Sequence, residues 1–243
     1  MFNSIAGDYD KLNHIMSLDI DKSWRKRALK RILKSTRAER RACREIDGKG
    51  RLRQIDVLDV ACGTGDFSIA IAEAMKKYAK GHVTGVDLSE GMLEVMKDKV
   101  AKAGLDDLIS YETGDCENLR FADGSFDRVT VAFGVRNFEN REKGLKEMLR
   151  VLKPGGKLVI LELSVPSNAF MRWLFNLYFV HILPFIGGKI SGDKAAYKYL
   201  PASVLNFPGK KEFTSTLREC GYEAVTHKAF TLGICRMYTG IKP

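Results

Sequence analysis

Ten residues, Val57-Leu58-Asp59-Val60-Ala61-Cys62-Gly63-Thr64-Gly65-Asp66, constrain this chain more than any other stretch. An apolar strand runs into a turn with two glycines, and a helix starts at Asp66. After a further apolar run, His82-Val83-Thr84-Gly85-Val86, comes a second acid, Asp87. Glycine has no Cβ, so the turn lets backbone come close to a ligand. Strand, glycine turn, helix and a strand ending in an acid make half of a sheet of the nucleotide-binding kind. The acid can accept both hydroxyls of a ribose.

The rest of the chain continues the alternation. Strands are predicted over Ile55–Ala61, His82–Asp87, Leu108–Thr113, Phe126–Phe133 and Lys157–Ser164. Helices are predicted over Asp66–Tyr78, Ser89–Ala103 with Gly104 as its cap, and Glu139–Leu152, stopped by Pro154-Gly155-Gly156. Lys210–Cys220 is the last helix, followed by two strands near Tyr222–His227 and Ile234–Gly240. With no evident helix between them, those two read as an antiparallel hairpin at one sheet edge. The whole reads as an α/β chain with a doubly wound, mostly parallel sheet.

Two segments stand outside this pattern. Residues 1–45 read as helical, with Trp24, Ala28, Leu29, Ile32 and Leu33 near the helical period. Residues 1–53 are therefore taken as an N-terminal helical, basic segment and 54–243 as the main domain. Residues 167–207 form an aromatic insertion, with Phe170, Trp173, Leu174, Leu177, Tyr178 and Ile182 at helical spacing. That stripe fits either a cap over a site or plain core.

Charge divides the chain in the same way. Of the net +10, the stretch from Lys22 to Arg53 carries fourteen Lys and Arg against three acids, which leaves the remainder at about −1. Such a patch suits anionic lipid or nucleic acid, or is a solvated helix face. Trp24 is the single aromatic in it, too few for stacking on exposed bases. Five scattered cysteines without a C-x-x-C pair point away from zinc or a disulfide framework and fit a reducing cytosol. No signal peptide is read in Met1–Asp21. Phe170–Ile186 carries Arg172, Asn176, His181 and Pro184, too many for a spanning helix of about 20 apolar residues.

The cofactor is narrowed by what the turn lacks. A nicotinamide fingerprint would place a third glycine where Ser68 stands, and a kinase-type loop would carry a lysine. Asp59, inside the first strand, can reach back to order the glycine turn, or it can cap nearby amides. Gly114-Asp115-Cys116-Glu117-Asn118-Leu119 follows the third strand. Together these pieces resemble the S-adenosylmethionine-dependent methyltransferases of the Rossmann-like class, which place an acid there for the adenine amino group.

Further stretches resemble the quinone C-methyltransferases, which act on demethylmenaquinol or on the related benzoquinol of ubiquinone synthesis. They are Tyr9-Asp10-Lys11-Leu12-Asn13 with Met16-Ser17 and Trp24, then Phe133-Gly134-Val135-Arg136-Asn137, and Arg150 through Ser164. The likeness runs from about Phe2 to Tyr238. It departs from the family pattern at Asp21, where histidine is usual, at Leu163, at Ala132, and in a longer basic linker over 34–53.

The resemblance implies a seven-stranded sheet with an antiparallel edge hairpin, N-terminal helices and a helical cap. It implies S-adenosylmethionine as methyl donor, held by Asp59, Gly63, Thr64, Asp87, Asp115 and Cys116. The catalytic pair would be Arg136 and Asn137. Arg136 would stabilise a quinolate oxygen or orient a water, with Asn137 positioning it; the alternative for Arg136 is a salt bridge to a helix acid. His181, Tyr197 and Tyr199 could serve as bases, but packing is at least as good a role for each, and none is assigned the task. The expected substrate is demethylmenaquinol, with the benzoquinol as alternative and a nucleic-acid-binding module as rival; the N-P-P-Y/F-type motif of nucleic-acid methyltransferases is absent. Expected partners are the polyprenyl quinol, a transient membrane surface and a second copy in a homodimer, with no nucleic acid. The expected location is cytoplasmic, peripheral to the inner membrane face.

Overall fold

The structure, a computed structural model, describes residues 19–37, 39, 49, 54–178 and 194–243. The signature residues Tyr9–Asn13 and Met16–Ser17 lie outside them. So do His181, most of the linker over 34–53, and the middle of the aromatic insertion.

Helix α1 spans Ile20–Leu33. The alternating body follows as β1 (Val57–Val60), α2 (Asp66–Tyr78), β2 (Val83–Asp87), α3 (Glu90–Ala103), β3 (Ile109–Thr113) and β4 (Phe126–Ala132). A 3-10 turn over Val135–Asn137 leads to α4 (Arg141–Val151) and β5 (Leu152–Leu163). Then come α5 (Ala169–Asn176), α6 (Lys194–Leu205), α7 (Lys210–Glu219), β6 (Glu223–Phe230) and β7 (Cys235–Ile241). The strands form one seven-stranded sheet in the order β3-β2-β1-β4-β5-β7-β6. The first five are parallel, and β7 runs antiparallel to both β5 and β6, which is the expected edge hairpin.

Two boundaries differ from the sequence reading for local reasons. Helix α4 starts at Arg141, not Glu139, because the Asn140 side chain accepts from the Lys143 amide at 3.0 Å and acts as the N-cap. Strand β5 begins at Leu152, ahead of the Pro154-Gly155-Gly156 stop. Its pairing with β4 is irregular between Leu152 and Lys157, which accommodates the proline, and Gly155 adopts φ 75.

Apolar side chains cover both faces of the sheet. One face packs against α1, α2 and α3 through residues such as Trp24, Ile32, Phe67, Ile71 and Met96. The other packs against α4 and α7 through Leu145, Met148, Phe213 and Leu217. Helix α1 is joined to this core by more than burial. Arg128, on β4 and fully buried, donates Nε to Ile32 O at 2.7 Å and Nη2 to Lys34 O, satisfying carbonyls at the end of α1. The same guanidinium makes a two-pronged pair with Glu39 at 2.6 and 2.9 Å. Lys157 of β5 adds bonds to Arg31 O at 2.9 Å and Lys34 O at 2.6 Å. Burial, with the Arg128 and Arg31 charges, pushes the Lys157 ammonium down to about 6.

Candidate active site

The carboxyl ends of β1, β2 and β4 converge on a cleft of about 290 Å³, the position where open α/β sheets bind ligands. Its floor departs from easy backbone geometry. Ala61 after β1 and Phe133 after β4 both take positive φ, 51 and 61, which costs about 1–3 kcal/mol for a residue with a Cβ. Gly134 must be glycine, since a Cβ there would lie 2.7 Å from that of Ala61. In the turn after β1, Gly63 has φ 56 and Gly65 has φ 81; a Cβ on Gly65 would meet Met96 Cγ at 2.5 Å.

Of the residues singled out from the sequence, Gly63, Asp87, Asp115, Cys116 and Asn137 line the cleft together. Asp87 ends β2 and binds backbone on both sides. Its Oδ2 accepts from the Gly63 amide at 2.8 Å and its Oδ1 from the Ser89 amide at 2.8 Å. Each oxygen keeps a second lone pair for a ligand hydroxyl. Burial raises the Asp87 pKa, and the amides of Ser89 and Gly63 oppose that rise. Asp115 accepts from the Glu117 amide at 2.8 Å, a local turn that fixes its carboxylate. Burial first, then the neighbouring Asp115 and Glu117 charges, push the Cys116 thiol up to about 12. Cys116 therefore presents an uncharged surface at neutral pH.

Asp59, Thr64 and Arg136 sit behind the cleft wall. Asp59 is 1% exposed; its Oδ2 accepts from Ser68 Oγ at 2.6 Å and its Oδ1 from Thr130 Oγ1 at 2.7 Å. It thereby ties α2 and β4 to the strand that carries the glycine turn, and Ser68, where a third glycine was sought, is its donor. Thr64 is buried, with Lys99 Nζ at 3.5 Å from its hydroxyl. Arg136 pairs through Nη1 with Glu162 Oε1 at 2.7 Å and with Phe133 O, while its amide bonds Glu162 Oε2 at 3.0 Å. The salt bridge weighed as the alternative for Arg136 exists, but its acid is on strand β5 and not on a helix. Ala132 pairs with Leu161 in the β4–β5 ladder, which brings the turn after β4 beside Glu162.

Two features were not read from the sequence. Glu162, fully buried, sits in sequence as one polar residue of an apolar strand, which gives no sign of its pairing with Arg136. Tyr199 on α6 donates its hydroxyl to Asn137 Oδ1 at 3.0 Å. The side chain of Tyr197 lies outside the described residues. Asp21, the departure from the N-terminal signature, pairs with Arg25 at 2.9 Å, and Arg25 reaches Asp66 at the start of α2 at 2.9 Å.

The donor set fits one class of nucleotide. Asp87, Asp115, Glu117 and Glu139 line the cleft, and among the described residues no lysine or arginine does. A pyrophosphate cofactor would meet repulsion there, whereas a nucleoside bearing a sulfonium and an ammonium group meets opposite charge.

Comparison with known proteins agrees. The sequence profile of the ubiE/COQ5 methyltransferase family matches residues 1–242. The demethylmenaquinone methyltransferase of Bacteroides fragilis is 42% identical over 242 residues, 100% of this chain and 91% of that protein. The ubiquinone/menaquinone biosynthesis C-methyltransferase UbiE of Geotalea daltonii is 43% identical over 100% of this chain and 94% of its own length. Among solved structures, a SAM dependent methyltransferase from Aquifex aeolicus shares the fold, with a TM-score of 0.56 and 20% identity over 78% of this chain and 82% of that one. With a sheet of this order, a cleft of this charge and a match along its whole length, the chain belongs to the ubiE/COQ5 family of S-adenosylmethionine-dependent methyltransferases.

Proposed function

We propose that this enzyme methylates the ring carbon of demethylmenaquinol, giving menaquinol. The observation that carries the reading is the full-length kinship with demethylmenaquinone methyltransferase. S-adenosylmethionine supplies an electrophilic methyl group on a positively charged sulfur. An ionised quinol carries its own nucleophile, because the oxygen charge spreads to the neighbouring ring carbon. The chain has then to hold both partners in line and favour the quinolate; positioning of this kind is worth about 7–11 kcal/mol in favourable cases.

In this reading Asp87 takes the ribose hydroxyls and Asp115 the adenine amino group. Gly63 and Thr64 face the amino-acid end through their backbone, and Cys116 packs against the base. Asp59 holds the turn from beneath. Asn137 faces the quinol oxygen as a neutral donor. Arg136, its guanidinium engaged by Glu162, holds the turn that presents Asn137. Labelled cofactor supplied with demethylmenaquinol or with the polyprenyl benzoquinol tests the reading. Label in the first product is expected, and label in the benzoquinol alone overturns it. The benzoquinol remains the second reading because the Geotalea daltonii relative is named for both quinones.

A polyprenyl substrate calls for a peripheral membrane contact from the cytoplasmic side. On α5, Phe170 and Trp173 stack at 6.2 Å and are 65% and 59% exposed, beside Leu174 and Leu177. Among the described residues no helix is long and apolar enough to cross a membrane. The aromatic face supplies an interfacial anchor, and the basic α1 region adds attraction to anionic headgroups. Trp173 fluorescence should shift to the blue on anionic vesicles, and that binding should weaken with salt. No shift on any vesicle removes the anchor.

A further inference from the structure

The 3-10 turn after β4 is anchored on one side and adjustable on the other. Its backbone is fixed by the Asn137 amide bond to Gly134 O at 2.9 Å, and by the double grip of Glu162 on Arg136. The Asn137 side chain, which lines the cleft, is held by one contact, the Tyr199 hydroxyl at 3.0 Å. Rotation about the last torsion of an asparagine is broad and two-fold, so the backbone anchors do not decide which end of the amide faces the cleft. In the structure the carbonyl end meets the Tyr199 hydroxyl. With Oδ1 accepting from Tyr199, the amide nitrogen and its two N–H donors are left over, and among the described residues they have no protein partner.

We infer that Tyr199 is a positioning residue for methyl transfer. Its hydroxyl fixes the Asn137 amide with the donor end toward the quinol oxygen, so that the quinolate is stabilised and the carbonyl end does not repel it. This rests on the methylation reading above and adds a residue to it. Donors aimed in advance at a developing charge lower a barrier because nothing has to reorient during reaction. A freely turning amide presents its carbonyl part of the time, and that orientation is repulsive. Helix α6 belongs to the insertion, so through Tyr199 the insertion bears on the polarity of the cleft. A cleft missing α6 would keep the cofactor groups of β1 and β2 and lose the donor orientation.

The test is a double-mutant cycle on the full-length enzyme with both substrates. Tyr199→Phe should lower kcat about tenfold, with the S-adenosylmethionine Kd unchanged and the quinol KM within about twofold. Asn137→Ala should lower kcat about a hundredfold. The double variant should be no slower than Asn137→Ala alone, because the hydroxyl has nothing left to orient. In Tyr199→Phe the acid limb of the kcat profile should move to higher pH, since the quinolate is less favoured in the complex. Additive losses in the cycle, or full kcat in Tyr199→Phe, overturn the inference while leaving methylation standing. If the unsubstituted enzyme turns over neither quinol, the methylation reading fails by itself. The orientation is then read from the Asn137 side-chain N–H pair in the nitrogen-15 spectrum of the cofactor-bound protein. That pair should shift toward the positions of a free side-chain amide and broaden in Tyr199→Phe; an unchanged pair overturns the inference.

Discussion

Asp59 is a carboxylic acid sealed inside a strand and held by two hydroxyls. Burial raises its pKa to about 6, and the Ser68 and Thr130 hydroxyls limit the rise. The folded pKa lies above that of the unfolded chain, so the folded protein keeps the proton to higher pH. Stability from this group is full below about pH 4 and is lost as pH rises through about 6. Asp59→Asn cannot titrate. Its stability relative to the unsubstituted protein should therefore improve by about 3 kcal/mol between pH 4 and pH 7, read by urea unfolding. A pH-independent difference would refute the raised pKa. Arg136 poses a different question, whether its guanidinium acts on substrate or only through Glu162. Replacing the buried pair by apolar residues, Arg136→Met with Glu162→Leu, should leave stability within about 2 kcal/mol, whereas Arg136→Ala alone strands a buried carboxylate and costs about 3–5 kcal/mol. Activity within about tenfold in the double variant fits a purely structural pair; a hundredfold loss in a protein of normal Tm would assign the guanidinium a direct role. These residues also mark the limit of reading a sequence. Asp87 and the glycines were legible because strand, glycine turn, helix and acid-ended strand follow one another in a stereotyped order, which identifies Asp87 even though its Gly63 contact spans 24 positions. Glu162 and Tyr199 were not, because their partners lie 26 and 62 positions away and only sheet register and helix packing bring them together.

Among the elements, the parallel strands and their helices were legible because apolar runs, caps and glycines are local signals. Ser89 accepting from the Met92 amide and Gly104 at φ 61 close the two ends of α3 as the sequence suggests. Helix α1 shows what such signals leave out. Its apolar stripe, Trp24, Ala28, Ile32 and Leu33, predicts a buried face, but the basic side chains that fasten its end, Arg128 and Lys157, come from strands β4 and β5. Charged residues in central strands look like blemishes in an apolar pattern until the helix end they satisfy is in place. Glu39→Ala would leave Arg128 as a buried charge without its carboxylate and should cost about 3–5 kcal/mol. In a protein of this size that lowers Tm by about 10 °C, measurable by calorimetry. A shift of a degree or less would show that α1 is held by its apolar face alone.

At the level of the whole molecule, the proposed reading draws the cofactor groups and the acceptor groups from different parts of the chain. In that reading the acids that meet the methyl donor are Asp87 at the end of β2 and Asp115 in the loop after β3, and the acceptor side is the turn after β4 with Tyr199 of α6 against Asn137. Substitutions on the two sides should therefore separate. Asp87→Ala should weaken S-adenosylmethionine binding by at least about tenfold in calorimetric titration, because it removes the ribose acceptor and frees the Gly63 amide it holds. Trp173→Ser should leave that titration unchanged and reduce vesicle association. A loss of cofactor affinity in Trp173→Ser would mean that the aromatic helix shapes the donor site as well.

The order of the sheet also bears on how the chain is made. Strand β7 fills the slot between β5 and β6, yet it comes after both in sequence. A nascent chain leaving the ribosome thus carries β5 with one side unpaired until roughly seventy more residues have emerged. Through that interval its main-chain donors and acceptors, flanked by Leu158, Ile160 and Leu161, form an open edge of the kind that recruits other strands. Protection of this edge falls to chaperones or to the speed of translation, and slow codons between α5 and β6 would lengthen the exposure.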